Sequence, residues 1–418
     1  MKKSVGRYEK ENRKAEKKAS SRKYTSYEDV PLEDYRETAP VQGNVTKKFI
    51  KLFLILFFSV VLVIALLNID KLTPDNVVHW FQYDLLGKTE GEGYPTSFSG
   101  TTVSTGNFSL LSGVPAYCSD TTITVLNNNA GTYLEKQHSY ANPVLAVNKG
   151  WGMVYNPDGT GYTVFKRDSI VRSDSVKYKI ISGDIASNGV YALLTENDDY
   201  LSKLTVYRSN GQEKYTYSFA EYYMNSVSLN SDGSRAVLSG VSARNGAMIS
   251  VIYVLDLTQS SYMQKYEADE TYIYEIKYFD NGNALAVGSD MAFFINIGDG
   301  KKSDISYSAK TLTSYTLSRE NGVLLSLSVN PDGRECDVLP VDTEGKLLQD
   351  ISTGSKILSM DSYRNNTAVL TDGKLTVYDK NGNVKSEKEV DPDSRKLLFS
   401  DEKNLYLLGK SRISKVTL

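Results

Sequence analysis

The feature that most constrains the fold is a unit of about forty residues that recurs from about residue 100 onward. In each copy an alternating strand pattern precedes a turn rich in Asp and Asn, which ends on glycine at Gly131, Gly211, Gly300, Gly345 and Gly382. The spacings of these glycines are 80, 89, 45 and 37 residues, so the first two are about double the others. A second turn precedes an apolar strand and starts at Asn188, Asp232, Asn281 and Asn321. Asn-Gly and Asp-Gly suit such turns because they tolerate positive φ.

Repeats of this length with room for four short strands are typical of β-propeller blades. One twisted four-stranded sheet cannot cover its own faces, whereas a ring of such sheets can. We therefore predict an all-β chain whose β-propeller of seven or eight four-stranded blades spans 94–418. The predicted units are 107–141, 142–177, 178–220, 221–270, 271–308, 309–353 and 354–391, followed by 392–418.

The last unit is incomplete, and this decides the preferred number of blades. It offers three strands, at 397–400, 405–409 and 413–418. A strand from 94–105 could complete it, which would close the ring and give eight blades; seven is the alternative. Two β-sandwich domains are the alternative architecture. A free sheet edge would promote aggregation, so closure favours the complete ring.

An apolar run over 52–67 lies within the segment FIKLFLILFFSVVLVIALLNI at 49–69. Twenty-one helical residues at about 1.5 Å rise span the roughly 30 Å core of a bilayer. The alternatives are a buried globular helix and a cleaved signal peptide. The segment has no polar face, its leader has 48 residues, and Ala65-Leu66-Leu67 is a poor cleavage sequence. We predict one uncleaved transmembrane helix.

The charges around this segment predict its orientation. Residues 1–51 hold 14 Lys and Arg and 8 Asp and Glu, a net charge of +6, and the remainder of the chain carries −8. Lys47, Lys48 and Lys51 flank the amino-terminal end of the apolar run. By the positive-inside rule, tail 1–48 is cytosolic and the rest of the chain is extracytoplasmic. The tail is expected to be disordered, and its basicity is attributed to topology and anionic lipid rather than to nucleic acid.

A short helix is predicted directly after the apolar run, at 73–86. Thr73-Pro74-Asp75 has the cap, first-turn proline and acidic residue of a helix start, and Gly87 suits its end. An amphipathic helix here either lies in the membrane interface or packs on the following domain. Residues 87–100 are predicted to be a glycine-rich hinge.

The order of these features resembles one protein family. It comprises the basic tail, one span, TPDNVVHWFQYDLLG, the hinge sequence GEGYP, Gln137-His-Ser-Tyr-Ala-Asn-Pro and the repeats. The chain resembles uncharacterised single-pass membrane proteins of Gram-positive, clostridia-like bacteria that carry an outward β-propeller. The resemblance implies no catalytic residues. WD40-like and quinoprotein-like propellers are more distantly similar, but no Trp-Asp ends a strand, and Trp80 and Trp151 are the only tryptophans.

The composition leaves little material for common catalytic or metal sites. The chain has 2 Cys and 2 His, too few for a disulfide scaffold, a multi-thiolate metal site or several histidine triads. No nucleophile elbow, zinc-helix motif, phosphate loop or dinucleotide fingerprint is present. The segments Asn156-Pro-Asp-Gly and Asn330-Pro-Asp-Gly lack the ligand series of a calcium loop and predict turns. Asp391-Pro-Asp393 predicts a connection between blades. We assign no catalytic, cofactor-binding or metal-binding residue, expect no cofactor, and leave the ligand-binding residues open.

Individual Cys, His and Tyr residues favour structural roles. Cys118 and Cys336 fall in nonadjacent units, too far apart for the roughly 7 Å between disulfide Cα atoms, so both are predicted to be free and buried. His138 is predicted to cap or cover an outer strand, and His79 belongs to the helix at 73–86. The 30 Tyr suit strands, although those near the mouths of the ring could stack on sugars or bind a peptide.

These observations favour a non-enzymatic binding or scaffolding module of the bacterial cell envelope. Its partner would be an envelope protein, a peptide or a glycan. The alternatives are a propeller hydrolase or lyase that acts on cell-wall polymer, and an envelope sensor that signals through the basic tail. Propellers host all of these functions, so the fold alone does not decide among them.

Overall fold

The computed structural model describes residues 52–59, 91–330 and 332–418, and the chain divides into two units, Met1–Leu72 and Thr73–Leu418. In the first unit, residues 52–59 form a helix with exposed apolar side chains. No helix among the described residues has both the length and the apolar character to cross a bilayer. The rest of the predicted span 49–69, the tail 1–48 and the predicted helix 73–86 lie outside the described residues.

Eight four-stranded antiparallel sheets make up the described part of the second unit. The prediction of eight blades is therefore confirmed, and the alternatives of seven blades and of two β-sandwich domains are wrong. The first four blades are built from β2 to β17 in chain order, from the inner to the outer strand. Blade 1 is β2 Val103–Leu111, β3 Val114–Ser119, β4 Thr122–Leu126 and β5 Thr132–Gln137; blade 2 is β6 Val144–Asn148, β7 Trp151–Tyr155, β8 Gly161–Lys166 and β9 Ile170–Ser175. Blade 3 is β10 Ile180–Ile185, β11 Tyr191–Thr195, β12 Ser202–Tyr207 and β13 Glu213–Phe219; blade 4 is β14 Tyr223–Leu229, β15 Arg235–Arg244, β16 Ala247–Asp256 and β17 Tyr262–Asp269.

The next three blades follow the same pattern, and the eighth is shared between the two ends of the propeller. Blade 5 is β18 Ile273–Tyr278, β19 Ala284–Gly288, β20 Met291–Asn296 and β21 Lys301–Ser306; blade 6 is β22 Thr311–Ser318, β23 Gly322–Ser328, β24 Cys336–Val341 and β25 Ile351–Ser355. Blade 7 is β26 Ser359–Tyr363, β27 Asn366–Thr371, β28 Lys374–Tyr378 and β29 Val384–Glu389; blade 8 is β30 Lys396–Phe399, β31 Asn404–Leu408, β32 Arg412–Thr417 and β1 Thr96–Ser97.

Strand β1 closes the ring from the amino-terminal side, as the incomplete last unit predicts. It is much shorter than the expected strand at 94–105: only Thr96 and Ser97 pair with β32, opposite Ile413 and Arg412. Residues 103–105 already belong to β2, so blade 1 starts before the predicted 107. Residues 98–102 connect the two blades.

Hydrophobic clusters hold neighbouring blades together. Each of eight clusters joins two adjacent blades. For example, Tyr406 and Ile413 of blade 8 share a cluster with Phe108 and Tyr117 of blade 1 and with Phe98 of the connection between these blades. The core of this propeller therefore consists of layers between sheets rather than one central mass. Burial of these faces is the main stabilising contribution.

Polar side chains also join the inner strands of successive blades. An inner strand is a sheet edge, so some of its N–H groups have no partner within the blade. A side chain of the preceding inner strand accepts such a hydrogen bond: Asn107 from Leu145 at 3.0 Å, Asp184 from Leu229 at 2.7 Å, Ser228 from Tyr278 at 3.1 Å, and Asp361 from Phe399 at 2.8 Å.

Candidate binding surface

The propeller has two faces that differ in where the chain arrives. The lower face contains the turns that join the first strand of each blade to the second and the third strand to the fourth. The upper face contains the turns that join the second strand to the third and the connections between successive blades. Residue Gly93 donates its N–H to Asn129 O at 3.0 Å, and the Tyr94 hydroxyl donates to Asn127 O at 2.9 Å. Both acceptors lie in the turn between β4 and β5, so the chain enters the propeller at the lower face.

Blade 4 carries a polar recess on the upper face. The hairpin of β15 and β16 is the longest among the described strands, with ten residues in each strand, and it turns at Asn245 and Gly246 with φ of 52° and 82°. Positive φ at both positions is the requirement of a tight hairpin turn. The hairpin walls a cavity of about 340 Å³, which is lined by Glu221, Tyr222, Ser242, Ala243, Arg244, Ile249, Lys265 and Glu267.

The charged groups of this recess form one network. Glu267 accepts hydrogen bonds from the Tyr222 hydroxyl and from Arg244 Nη2, the latter at 2.7 Å, and these lower the pKa of Glu267 to about 2. Lys265 Nζ lies 3.0 Å from Glu221 and 3.4 Å from Glu267. The ammonium of Lys265 also lies 4.7 Å from the centre of the Tyr222 ring. The recess thus holds one lysine between carboxylates and an aromatic face.

Exposed tyrosines stand beside the recess at the upper mouth of the central channel. Tyr223 starts β14 and is 60% exposed, and Tyr274 on β18 is 48% exposed. Tyr272 packs edge-on against Tyr274 at 5.5 Å, and its hydroxyl accepts a hydrogen bond from Asn225 Nδ2 at 3.1 Å. Asn225 of blade 4 therefore holds Tyr272, which lies in the connection to blade 5. Most tyrosines elsewhere pack in strands, and Tyr117, Tyr191, Tyr278, Tyr307 and Tyr406 are fully buried.

The lower mouth of the channel is crossed by ion pairs between distant blades. Arg319, just after β22 of blade 6, pairs with Asp184 of blade 3 and donates to the carbonyls of Leu229 and Tyr278 in blades 4 and 5. The side chains of Arg319 and Asp184 are only 10% and 6% exposed. Burial alone would raise the pKa of Asp184, but Arg319, Lys277 and the N–H of Leu229 together hold it below its usual value. A second, more exposed pair joins Lys149 and Asp280 at 3.7 Å.

Further ionisable groups line the inner wall between these mouths. Asp361 lies on β26, where burial raises the pKa of its carboxyl to about 6, against the opposing effects of the Phe399 N–H and of Lys396. Burial also lowers the pKa of Lys396 on β30, although Asp361 and Glu275 act in the other direction. The inner wall therefore contains charges of both signs.

The residues that the sequence singled out lie apart from this surface. Cys118 and Cys336 are buried, free thiols in blades 1 and 6, as predicted. His138 follows β5, and its Nε2 lies 3.1 Å from Ser119 O and 3.2 Å from Cys118 Sγ. Burial lowers the pKa of His138 and raises that of Cys118 to about 12, so a neutral imidazole meets a thiol rather than a thiolate.

The motif-like turns are also structural. Gly159 and Gly333 donate backbone hydrogen bonds to Asn156 and Asn330, each closing a tight turn. Asp391 and Asp393 pair with Arg412 and Lys410 in the connection to blade 8. In the described part of the chain, no group of three or more His, Cys, Asp or Glu side chains is arranged to hold a metal ion.

Sequence reasoning missed the recess and the Arg319–Asp184 pair. The ten-residue strands around Asn245-Gly246 were a detectable signal, because the other blades have shorter middle strands. A second detectable signal was Asp184, the one charged residue of the inner strand β10, because a buried carboxylate needs a partner. Its partner lies 135 residues away, so no local pattern identifies it.

Comparisons with solved structures found matches that cover 78–79% of this chain. The C-terminal WD40 domain of Sif2 matches with a TM-score of 0.54 at 12% identity, covering 79% of this chain and 98% of that one. BamB from Moraxella catarrhalis matches at 0.49 and 13% identity, covering 78% and 100% of the two chains. The β-propeller domain of Cps50 (Swd1) from Myceliophteria thermophila matches at 0.47 and 11% identity, covering 78% and 99%. At such identities the similarity shows the fold alone.

A comparison with curated proteins found no match. One family model, described as a family of unknown function (DUF5711), matches residues 92–418, which cover the whole propeller. That range includes the closing strand β1 as well as all eight inner strands. The chain belongs to this family.

Proposed function

We propose that this protein is a non-enzymatic binding and scaffolding module, anchored by one membrane span and held outside the cytosol in a bacterial cell envelope. The observation that carries the proposal is the continuous upper surface of blades 4 and 5. It combines exposed tyrosines with a polar recess. Rigid aromatic side chains beside charged groups are typical of protein-binding surfaces.

The entry of the chain at the lower face supports a binding surface on the upper face. A tether that arrives at the lower face leaves the upper face free to meet a partner. The predicted span at 49–69, with the lysines at its amino-terminal end, supplies the expected anchor.

Site-specific photocrosslinking in living cells tests the binding function. A photoreactive amino acid at position 223 or 274 should give a discrete adduct, since both side chains are exposed at the upper mouth. The matched control is position 384, where Val384 is 54% exposed on the outer strand of blade 7. Adducts of equal yield at all three positions, or at none, would contradict a binding surface at this mouth. Release of soluble fragments from purified cell wall by the protein would favour the hydrolase or lyase instead.

A further inference from the structure

The upper surface of blades 3 to 5 has an unbalanced charge. We define the tyrosine–acid surface as the recess, the exposed Tyr200, Tyr223 and Tyr274, and the acidic side chains of the surrounding turns and connections. The exposed acidic residues are Glu196, Asp198, Asp199, Glu221, Glu267, Asp269, Glu270 and Asp290. The exposed basic residues of the same turns are Lys177, Lys179 and Arg244. Exposed acidic residues therefore outnumber exposed basic ones by eight to three, and the ratio is eight to four when the half-buried Lys265 of the recess is included.

Several of these carboxylates have no ion-pair partner among the described residues. Asp198, Glu221 and Glu267 pair with lysine or arginine. Among the described residues, no salt bridge involves the other five carboxylates, which are those of Glu196, Asp199, Asp269, Glu270 and Asp290. The strand order places all five on the upper face: Glu196 and Asp199 lie in the β11–β12 turn, Asp269 and Glu270 at the end of β17, and Asp290 in the β19–β20 turn.

The protein's own lysines show how this surface holds a cation. Lys265 lies over the ring of Tyr222 at 4.7 Å and pairs with Glu221 at 3.0 Å. Lys177 lies over the ring of Tyr178 at 4.4 Å and pairs with Asp198 at 3.6 Å. Both sites combine an aromatic face with a carboxylate, which attracts an ammonium more strongly than either group does alone. Tyr223 and Tyr274 are exposed, and none of the cation–π contacts among the described residues involves either ring.

We propose that the tyrosine–acid surface binds a cationic segment of a partner protein, with its Lys or Arg side chains placed over the exposed tyrosines and against the unpaired carboxylates. This inference rests on the proposed function and names the partner's chemistry. Anionic wall polymers and anionic lipid would be repelled by the same charges. A neutral glycan would use the tyrosines but gain nothing from the carboxylates.

The test measures binding of a labelled peptide of alternating Lys and Ser to the full chain in detergent micelles. The matching Glu–Ser peptide is the negative control. The first variant carries E196Q, D199N, D269N and E270Q. The matched control carries E213Q, E320Q, D350N and E402Q, four exposed acidic residues of the lower face that also have no ion pair among the described residues. The two variants change net charge equally, so only the location differs.

Residues 1–51 carry a net charge of +6, so in micelles the tail could compete with the Lys–Ser peptide for the tyrosine–acid surface. Each measurement is therefore repeated with Lys2, Lys3, Arg7 and Lys10 changed to Gln. The Lys–Ser affinity should then rise or stay the same. The upper-face variant should lose about tenfold in affinity, equivalent to about 1.4 kcal/mol, and the lower-face variant less than about twofold. The double variant Y223A and Y274A should also weaken binding, by about fivefold, through loss of the aromatic faces.

The outcomes separate this inference from the proposed function. Equal losses in the two charge variants would overturn the inference, because binding would then follow net charge alone. Adducts at 223 and 274 without any Lys–Ser binding would also overturn it, yet leave the binding function standing. Binding of a neutral wall oligosaccharide that survives the charge variant and is lost in Y223A/Y274A would replace the cationic segment with a glycan. Absence of both adducts and peptide binding would overturn both proposals.

Discussion

Arg319 acts at the residue scale as a connector of four blades. Its guanidinium reaches Asp184 of blade 3 and the carbonyls of Leu229 and Tyr278, while its own backbone belongs to blade 6. A planar group with five donors suits such a convergence of acceptors better than a lysine does. The pair is buried, so the charge of each partner depends on the other.

Removing the guanidinium should therefore destabilise the ring strongly. We expect R319M to lose about 3–5 kcal/mol of unfolding free energy, because Asp184 would remain buried without its partner. K149M is the control, since it breaks the exposed cross-channel pair and should cost about 1 kcal/mol or less. Urea unfolding of residues 91–418 measures both. Equal losses of unfolding free energy in R319M and K149M would show that the buried pair stabilises the protein no more than the exposed pair does.

The pH dependence of this loss has a definite sign. The pKa of Asp184 is lowered in the folded protein, so its stabilising contribution is present above the unfolded value near 3.9 and is lost as the pH falls through the folded value. In R319M the burial of Asp184 is no longer offset by the guanidinium, so the pKa of its carboxyl is higher than in the native protein. The stability difference between the native protein and R319M should therefore begin to shrink in mild acid, where the variant takes up its proton, and continue to shrink until the native carboxyl is protonated as well.

Asp361 should behave in the opposite way. Burial raises its folded pKa to about 6, so the folded state holds a proton that the unfolded state releases near pH 4. Stability should thus fall as the pH rises from about 4 to 6. D361N should remove that fall and gain up to about 2 kcal/mol at pH 7, because an amide can still accept the hydrogen bond from Phe399 N–H. D350N, on an exposed loop, should change stability by less than about 0.5 kcal/mol. Parallel pH profiles for native protein and D361N would contradict this expectation.

At the scale of elements, the closing strand β1 is held more by its flanks than by its own pairing. Only two residues pair with β32, but Tyr94 packs on Tyr406 at 5.1 Å and Phe98 packs on Tyr117 at 6.1 Å. The Tyr117 hydroxyl also accepts a hydrogen bond from Ser99 N–H at 2.9 Å. The side chains around β1 thus join blades 8 and 1.

We expect F98A to cost about 3–5 kcal/mol, the usual range for a buried phenylalanine. V384A, at an exposed position on the outer strand of blade 7, is the matched control and should stay within about 0.5 kcal/mol. Thermal unfolding of the two variants compares them. An F98A protein that melts with the control would show that the ring closes without this contact.

The elements also show how far sequence reasoning reaches. Turn chemistry located the blades well: the unit predicted at 178–220 is blade 3, from Ile180 to Phe219. The missing fourth strand of the last unit predicted that a segment about 300 residues earlier in the chain completes it. The length of that strand, β1, could not be predicted, because two paired residues leave no periodic pattern in the sequence. Arg319 and the recess depend on side chains from separate blades, and no single segment encodes their proximity.

For the whole molecule, the proposed topology gives a direct prediction. Protease added to intact protoplasts should remove the propeller and spare an epitope placed before Lys10, because the lysines around the apolar run favour a cytosolic tail. Permeabilised protoplasts are the control and should lose both. Loss of the epitope with survival of the propeller in intact protoplasts would reverse the orientation.

The pairing of Thr96 with Ile413 also sets the timing of folding. The partners are 317 positions apart, so at about 5–20 residues per second β1 waits about 15–60 s for its partner during synthesis. Until then the apolar side of blade 1 that faces blade 8 stays uncovered. The interface between the two ends of the propeller is thus the last to form in the nascent chain. A truncated chain released from a ribosome that stalls before β32 is complete would leave this side of blade 1 accessible to chaperones and proteases.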